Sequence, residues 1–399
     1  MRILYFADIR FPLERANGIQ TMETCQALVE RGHTVQLVVR PDTHTPARDP
    51  FDFYGLPRRD RLIVEHAPVA GATVPPFARR IGYLAFAAGR AAGSGRADVI
   101  MTRDLTTASL VLHLPARAPL VYESHGYAPD VAAALPEMLA TAAPARPAKL
   151  ARLARREAYV WKHADGYVTI TAGLRSELAG RFGERERVAV VPDGARVPPS
   201  AVPRDPRAPF TVAYAGHLYA WKGVDILLEA LALLPGVRAV IVGGHEKEPD
   251  LARLRARATS LGLDDRVTFT GQVAPAMVRG YLAGADVLVL PNPASAISTR
   301  ATSPLKLFEY MAASRAIVAS DLPAIREVLA QDVNAVLVTP GDAAALANGI
   351  RSLEGDAATR ARLAHAAREA VAEYSWSRRA ERLETLFTAV VRAAGPARR

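Results

Sequence analysis

Short apolar runs alternate with longer segments of helical periodicity along most of the chain. Residues 3–7 form an apolar run of strand length, residues 21–31 have helical spacing up to Gly32, and residues 34–39 form the next run. A buried strand, a glycine-containing loop, a helix and a second strand are typical of a doubly wound α/β domain. The same pattern predicts further strands in this half of the chain at 98–102, 119–122, 166–170 and 188–191.

The pattern restarts after a segment that is rich in proline. Residues 197–209 contain five prolines in thirteen positions, which excludes both a helix and a central strand. We therefore predict a linker at 197–209 between two Rossmann-like, doubly wound domains that face each other across a cleft. Strands of the second domain are predicted at 210–215, 237–242, 267–270, 286–290 and 316–319.

The composition narrows the class of protein. Half of the 399 residues are hydrophobic and 23% are charged, which is typical of a globular chain. The single cysteine, Cys25, excludes an internal disulfide framework, and the start of the chain is predicted to be a strand rather than a signal peptide. No apolar run is long enough for a transmembrane helix. We therefore predict a cytoplasmic protein that is soluble or lies at the inner face of the membrane.

The net charge of +10 favours anionic partners. Nucleic acid is not expected, because no strand combines aromatic and basic residues in the way that stacks bases. Residues 146–162 carry six basic side chains against one acid on a predicted amphipathic helix. Two interpretations stay open: peripheral contact with an anionic membrane through Arg146–Lys162, or a surface helix whose charged side is merely solvated.

Residues 303–323 read S-P-L-K-L-F-E-Y-M-A-A-S-R-A-I-V-A-S-D-L-P and carry the strongest functional signal. Ser303 is a good N-cap and Pro304 falls at the first helical position, so a helix is predicted to begin here. Free backbone N–H groups and Lys306 would bind a phosphate, and Glu309 would accept hydrogen bonds from a sugar diol. The pattern indicates a nucleotide site; the alternative is an ordinary capped helix of the core.

This motif resembles the donor site of glycosyltransferase family 4, whose members are retaining enzymes of GT-B fold. The resemblance implies that Glu309 holds the ribose of the nucleotide. A second glutamate of the family would fall on Ala301, so this chain lacks it. The resemblance also implies what each domain of the chain does. Residues 1–196 would form an acceptor-side domain, and residues 210–375 would form a nucleotide-sugar-binding domain. Residues 376–399 would form a C-terminal helix that crosses back to the first domain.

A second motif reads G-H-L-Y-A-W-K-G from Gly216 to Gly223. A glycine loop after a strand brings backbone N–H groups close to phosphates, and Lys222 would neutralise them. The alternative for Lys222 is a solvated lysine at a helix start, and the family carries arginine where His217 stands. The resemblance assigns the donor diphosphate to Gly216, His217, Lys222, Ser303, Pro304, Leu305 and Lys306. It assigns the ribose and base to Glu309, Gln272 and Val273.

Two positions in the first half also have functional interpretations. His125 follows a predicted buried strand, at the edge of the sheet where open α/β folds bind ligands. In the resemblance it is the catalytic histidine, and a neutral imidazole there would donate to the sugar or the diphosphate. Asn17 and Gly18 lie in the first predicted loop, which is either the acceptor-side loop of the family or a tight turn.

The sequence thus predicts a retaining, hexosyltransferase-like enzyme that moves a sugar from a UDP or GDP donor to a glycan, lipid-linked or small-molecule acceptor. Such a reaction would serve cell-surface glycan, glycolipid or natural-product synthesis. No Asp-x-Asp pair and no His/Cys cluster with ligand spacing occurs, so no metal or cofactor is expected besides the nucleotide sugar. Two alternatives stay open: a nucleotide-sugar- or glycan-binding protein with weakened catalysis, and a nucleotide-sugar epimerase on the same fold.

Overall fold

The computed structural model describes residues 1–69, 75–138, 143–205, 207–246, 248–295, 298 and 305–395. The chain divides into two compact units. Unit 1 comprises Met1–Ala132, Ala145–Asp193 and Trp376–Arg399, and unit 2 comprises Ala133–Pro144 and Gly194–Ser375. The proline-rich segment at 197–209 has neither helix nor strand among its described residues, and it belongs to unit 2.

Each unit contains one parallel sheet. The strands of unit 1 are β1 (Arg2–Arg10), β2 (Thr34–Arg40), β3 (Leu62–His66), β4 (Val99–Thr102), β5 (Leu120–Ser124), β6 (Gly166–Thr169) and β7 (Val188–Val190). Those of unit 2 are β8 (Thr211–Ala215), β9 (Arg238–Val242), β10 (Val267–Gly271), β11 (Val287–Leu290), β12 (Ala316–Ser320) and β13 (Val336–Val338). Their orders are β3-β2-β1-β4-β5-β6-β7 and β10-β9-β8-β11-β12-β13. Both are doubly wound, as the sequence predicts.

The sequence pattern missed β3 and β13, and both are edge strands. An edge strand is buried less completely than a central one, so its residues are less uniformly apolar. Ile63 of β3 is exposed and alternates with buried or half-buried neighbours, and β13 has only three residues. Neither therefore has the continuous apolar run that identified the central strands.

Helices connect successive strands and cover both faces of each sheet. In chain order they are α1 (Ala16–Glu30), α2 (Pro50–Tyr54), α3 (Pro76–Ala92), α4 (Leu105–Leu112), α5 (Ala128–Met138), α6 (Pro147–His163), α7 (Ala172–Phe182), α8 (Val224–Ala232), α9 (Pro249–Ser260), α10 (Pro275–Ala283), α11 (Leu305–Ala312), α12 (Pro323–Arg326), α13 (Ala343–Glu354), α14 (Ala357–Ala370) and α15 (Trp376–Ala394). Two short 3-10 turns span Ala220–Lys222 and Val371–Tyr374.

The side chains of β8 show why the sheet of unit 2 needs helices on both faces. Val212 and Tyr214 belong to one buried apolar cluster, whereas Ala213 and Ala215 belong to another. Successive strand residues point to opposite faces, so both faces of this strand are buried. The last helix, α15, packs within unit 1 against α1 and the strands β6 and β7.

The order of strands reverses beside β1 in unit 1 and beside β8 in unit 2. The neighbouring connections leave opposite faces of the sheet at these points, which opens a crevice at the carboxyl ends of the strands. Residues that follow β1, β4 and β5 therefore lie near the crevice of unit 1. Those that follow β8 and β11 lie at the crevice of unit 2.

Gly223, at the start of α8, is required by a close backbone approach. Its φ is 76°, and a Cβ atom there would lie 1.8 Å from the carbonyl oxygen of Pro291. Gly262 has a similar φ of 67°, but no atom lies within 4 Å of a Cβ placed there. The two glycines therefore share the backbone conformation and differ in the space available.

We expect Gly262→Ala to cost about 1–2 kcal/mol, the price of a left-handed conformation for a residue with a Cβ. Gly223→Ala should cost at least about 2 kcal/mol more, because the loop after β11 must also move. Urea denaturation of both variants measures the difference. Equal losses of stability would contradict the close packing of the loops that follow β8 and β11.

Candidate functional site

The loops at the crevice of unit 2 approach one another through glycine. Gly216 follows β8 with a φ of 138°, and a Cβ atom there would lie 2.9 Å from Nζ of Lys306. Gly243 follows β9, and its Cβ would lie 2.2 Å from the carbonyl oxygen of Gly216. Larger residues would separate these loops, so the backbone after β8 stays bare and accessible to a ligand.

Lys306 brings an amino group to this bare backbone. This lysine is only 8% exposed. Its Nζ lies 3.9 Å from the centre of the Tyr214 ring and has no hydrogen-bond partner among the described residues. Burial lowers the pKa of Lys306 well below its ordinary value, the charge of Lys222 lowers it further, and Glu309 opposes both. A buried amine without an anion beside it is costly, which favours binding of an anion.

Lys222 is the second amine of this site. It ends the short 3-10 turn after β8, and its Nζ lies 3.5 Å from the centre of the Trp221 ring. Burial lowers the pKa of Lys222 to about 7. The side chain of Lys222 is half-buried, so this lysine is only partly solvated. Two amines that rest on aromatic faces are available to phosphate oxygens.

Glu309 and His217 flank the two amines along the chain. Burial raises the pKa of Glu309, while the charges of Lys306 and Arg279 oppose the increase. The ring of His217 stacks on that of Tyr219, with centroids 5.0 Å apart and planes inclined by 6°. Its carbonyl oxygen accepts a hydrogen bond of 2.5 Å from the Tyr214 hydroxyl. This bond fixes the chain just after Gly216.

Part of the predicted donor site lies outside the described residues, namely Ser303, Pro304 and the position of the second family glutamate, Ala301. Leu305 begins α11 and is buried. The predicted contacts to ribose and base at Gln272 and Val273 follow β10, which is the edge strand two places from β8. Gln272 is exposed, and Val273 packs against the apolar core. Their roles stay predictions.

In unit 1, three charged or titratable side chains form a buried chain of contacts at the end of β5. Nε2 of His125 lies 2.6 Å from Oε1 of Glu123, and Arg379 donates to Oε2 of the same carboxylate at 2.6 Å. Glu123 is fully buried and Arg379 is 1% exposed, whereas the side chain of His125 is 23% exposed. His125 thus connects a buried ion pair with the surface.

The neighbouring charges determine the protonation of this group. Burial alone raises the pKa of Glu123, but Arg379 and His125 lower it more, so it lies well below the ordinary range. Burial and the positive charge of Arg103 lower the pKa of His125, against the influence of Glu123 and Asp193. At neutral pH, Glu123 is therefore a carboxylate and His125 a neutral imidazole.

Two further arginines of unit 1 converge on one neutral oxygen. Arg80 from α3 and Arg156 from α6 each donate to Oγ1 of Thr106 at 3.0 Å. Arg80 also pairs with Asp8 and Asp104, whereas no carboxylate within the described part of the chain forms an ion pair with Arg156. The guanidinium of Arg156 is thus not neutralised by an ion pair among the described residues, and it could pair with an anionic group of a ligand.

The structure changes the interpretation of Asn17 and Gly18. Helix α1 begins at Ala16, so both residues lie in its first turn and not in the preceding loop. A Cβ on Gly18 would lie 2.3 Å from the carbonyl oxygen of Leu13 and 2.4 Å from the hydroxyl of Tyr54. The prediction of a tight turn at Gly18 was therefore wrong. Gly18 instead allows the start of α1 to pack closely against Leu13 and Tyr54. The acceptor role of Asn17 and Gly18 stays a prediction.

Sequence reasoning did not find Glu123, Arg379 or the Arg80–Arg156 pair. Glu123 did carry a signal, because it is an acidic residue that directly follows the buried strand predicted at 119–122. A charge there needs a partner. Arg379 carried none, since it follows Glu123 by 256 positions and looks like any other arginine on an amphipathic helix.

Two kinds of structure are absent from the described residues. No group of three or more His, Cys, Asp or Glu side chains there is arranged to hold a metal ion. Nor does any described helix combine the length and apolar character that crossing a membrane requires.

Two family profiles match the chain, one in each half. The family described as Glycosyltransferase Family 4 matches residues 18–197, and that described as Glycosyl transferases group 1 matches residues 209–356. A D-inositol 3-phosphate glycosyltransferase of Xylanimonas cellulosilytica is 31% identical over 240 residues, which are 55% of this chain and 56% of that protein. The chain thus spans about half the length of this relative.

Solved structures resemble the whole chain. Sucrose-phosphate synthase of Thermosynechococcus elongatus has a TM-score of 0.77 at 19% identity, over 98% of this chain and 100% of that chain. Anabaena HepE in complex with UDP-glucose has a TM-score of 0.72 at 20% identity, over 97% and 100%. These likenesses show the GT-B fold. The two profile matches, which together cover residues 18–197 and 209–356, place the chain in glycosyltransferase family 4.

Proposed function

We propose that the protein is a retaining, metal-independent glycosyltransferase that moves a sugar from a nucleoside-diphosphate donor to an acceptor hydroxyl. The observation that carries this proposal is the buried amine of Lys306, which lies against the bare backbone of Gly216 without a hydrogen-bond partner among the described residues. Lys222 adds a second amine in the same crevice. Such an arrangement supports a site for a diphosphate.

The chemistry explains why two amines are useful here. Breaking the bond from the anomeric carbon to phosphate leaves negative charge on the diphosphate, and a positioned cation stabilises that charge as it develops. Lys222 and Lys306 would supply the positive charge that a divalent ion supplies in other transferases. Retention is the chemistry of the family: the acceptor attacks from the face that the diphosphate leaves, and the diphosphate takes its proton.

Related proteins and the contacts in unit 1 suggest the chemical class of the donor and of the acceptor. HepE, which shares the fold, binds UDP-glucose; we propose a UDP or GDP sugar for this chain, with Glu309 on the ribose. The D-inositol 3-phosphate glycosyltransferase is named for a phosphorylated polyol. The convergence of Arg80 and Arg156 on Thr106 supports an acceptor that carries an anionic group.

Incubation of the purified protein with a panel of UDP and GDP sugars tests the proposal. A transferase slowly hydrolyses its own donor, and addition of inositol 3-phosphate rather than inositol should convert hydrolysis into transfer if the acceptor is anionic. Binding without turnover would favour the protein with weakened catalysis, and a change of sugar configuration would favour the epimerase. Either result would contradict the proposal.

Lys306→Met should separate binding from stability. Methionine keeps the length and removes a buried amine that lacks a partner, so the melting temperature should stay the same or rise. Loss of a charge-assisted hydrogen bond should weaken UDP or GDP binding by about 1.5–3 kcal/mol. Calorimetric titration and thermal denaturation measure the two effects, with the exposed Lys149→Met as control. Unchanged affinity would place the diphosphate elsewhere.

Nucleotide binding should take up protons above neutral pH. The pKa of Lys222 is lowered to about 7 by burial, and a phosphate beside it raises the pKa again. At pH values between these two pKa values, Lys222 is neutral in the free protein and charged in the complex. Affinity should therefore fall as pH rises above 7, approaching about tenfold per pH unit for one proton. Titration in buffers of different ionisation enthalpy counts the protons, and Lys222→Arg should reduce the count. Constant affinity from pH 7 to 9 would contradict the assignment.

We further propose that α6 contacts an anionic membrane surface. Its only acid, Glu157, is fully buried and accepts from Tyr167, so every charged side chain on the exposed side of α6 is basic. Substituting Arg152 and Arg155 with Gln should weaken binding to vesicles that contain phosphatidylglycerol by about 2 kcal/mol, since each basic residue contributes about 1 kcal/mol. Substituting Arg253 and Arg257, which pair with carboxylates on unit 2, is the control. If the two double variants lose the same amount of vesicle affinity, or if the wild-type protein does not bind vesicles, the charged side of α6 is merely solvated.

A further inference from the structure

The buried ion pair beneath His125 is more elaborate than a strand end requires. Arg379 donates from Nε to Thr24 at 3.0 Å and from one terminal nitrogen to the carbonyl oxygens of Val191 and Pro192, each at 2.9 Å. Its other terminal nitrogen donates to Glu123. These contacts fix the planar guanidinium, which is enclosed within unit 1.

This fixed guanidinium determines what Glu123 can do. An ionised carboxylate is only an acceptor, and its Oε2 is engaged by Arg379. Its Oε1 accepts from Nε2 of Gln20 at 2.5 Å and faces Nε2 of His125 at 2.6 Å. The side-chain oxygen of Gln20 accepts from Arg103 at 2.7 Å, which fixes the orientation of the Gln20 amide. The carboxylate is thus surrounded by donors on both oxygens.

A neutral imidazole next to such a carboxylate has only one favourable tautomer. Its Nε2 must carry the proton, because an unprotonated Nε2 would place a lone pair against Oε1 of Glu123. Nδ1 then holds the lone pair, and no described residue is hydrogen-bonded to it. The free nitrogen of His125 is therefore an acceptor, which reverses the donor role expected from the sequence.

We infer that Glu123 and Arg379 are positioning residues that hold His125 with its proton on Nε2, so that Nδ1 accepts a hydrogen bond from a substrate hydroxyl. The inference rests on the proposed function for the substrate, but the tautomer itself is a property of the free protein. Helix α15 then contributes to the orientation of His125, because Arg379 donates to Glu123 from that helix. An orienting carboxylate of this kind selects the tautomer of a catalytic histidine.

Charged groups on several elements face the imidazole of His125, and they act on its pKa in opposite directions. Arg103 after β4 disfavours the imidazolium, whereas Glu123 on β5 and Asp193 after β7 favour it. From α15, Arg379 faces the carboxylates: one of its terminal nitrogens lies 3.9 Å from Asp193. Burial and Arg103 prevail in lowering the pKa of His125, so the single tautomer persists over the neutral range.

Long-range ¹H–¹⁵N correlation spectra of the protein measure the tautomer of His125 directly. The signals of His125 are assigned by their disappearance in the variant His125→Gln. At neutral pH we expect a protonated Nε2 and an unprotonated Nδ1 at His125. In Glu123→Gln, combined with Gln20→Ala to remove the competing donor of Gln20, Arg379 retains the amide oxygen, so the amide nitrogen should face the imidazole and move its proton to Nδ1. A protonated Nδ1 in the wild type, or an unchanged tautomer in this combined variant, would overturn the inference. These readings need no substrate, so they stay valid if the proposed function fails.

Arg379 is tested by a variant that keeps the interior neutral. Arg379→Met alone leaves a buried carboxylate uncompensated and is expected to unfold unit 1, whereas the double variant Glu123→Gln/Arg379→Met removes both charges. The double variant should fold and show a mixture of His125 tautomers. Arg378→Met, which removes a surface ion pair with Glu381 on the same helix, is the control and should retain the wild-type tautomer. A double variant with the wild-type tautomer would show that the pair is structural only.

With the donor identified by the sugar panel, kinetics give a second reading. Glu123→Gln should lower kcat roughly 10- to 100-fold, the range for loss of a group that orients a functional histidine. His125→Ala should lower it about a hundredfold or more. Nucleotide affinity should stay unchanged in both, because the diphosphate site lies in unit 2. Full turnover in a Glu123→Gln variant with a switched tautomer would exclude a role for Nδ1.

Discussion

A buried lysine that forms no hydrogen bond or ion pair with a described residue is the physical constraint around which the crevice of unit 2 is built. An amine in that position loses its hydration, and the described residues give Nζ of Lys306 no hydrogen-bond partner in return. The ring of Tyr214 offers a weaker compensation, and its hydroxyl fixes the loop that carries Gly216. The free protein therefore keeps the proton of Lys306 weakly, and an incoming anion stabilises it.

The fold makes this arrangement possible. Parallel strands end at one edge of the sheet, and the reversal of strand order beside β8 opens a space there. Gly216 and Gly243 allow the loops to approach without filling that space. Lys222 reaches it from the end of β8, and Lys306 reaches it from α11. An anion that binds at this point contacts elements from several parts of unit 2.

In unit 1, by contrast, the buried charge is fully hydrogen-bonded by protein groups. The carboxylate of Glu123 is fully enclosed, but it receives donors from Arg379 and Gln20, and it lies next to His125. A charge pair inside a protein is tolerated when each group is fully hydrogen-bonded, and it then fixes the orientation of its neighbours. The amine of Lys306 in unit 2 has no hydrogen-bond partner among the described residues, whereas the carboxylate of Glu123 in unit 1 is fully hydrogen-bonded and orients one imidazole.

The sequence predicted what depends on local pattern and missed what depends on distant partners. The central strands and the doubly wound order were readable because fully buried strands are continuous apolar runs. The position of Lys306 was readable as a motif, but its burial was not, because Tyr214 and Gly216 come from a strand about ninety positions earlier. The partner of Glu123 was not readable either, because packing of α15 against α1 brings Arg379 to it. The start of α1 was misjudged because Gly18 was placed in the loop before the helix, and only the positions of Leu13 and Tyr54 reveal its packing role.

The most direct measurement for this account is a crystal structure of the full chain with UDP or GDP, whichever binds more tightly in calorimetry. The account predicts a diphosphate oxygen within hydrogen-bond distance of Nζ of Lys306, a second contact to Lys222, and the ribose hydroxyls on Glu309. A nucleotide bound elsewhere in unit 2, with Lys306 still without an anion, would contradict it.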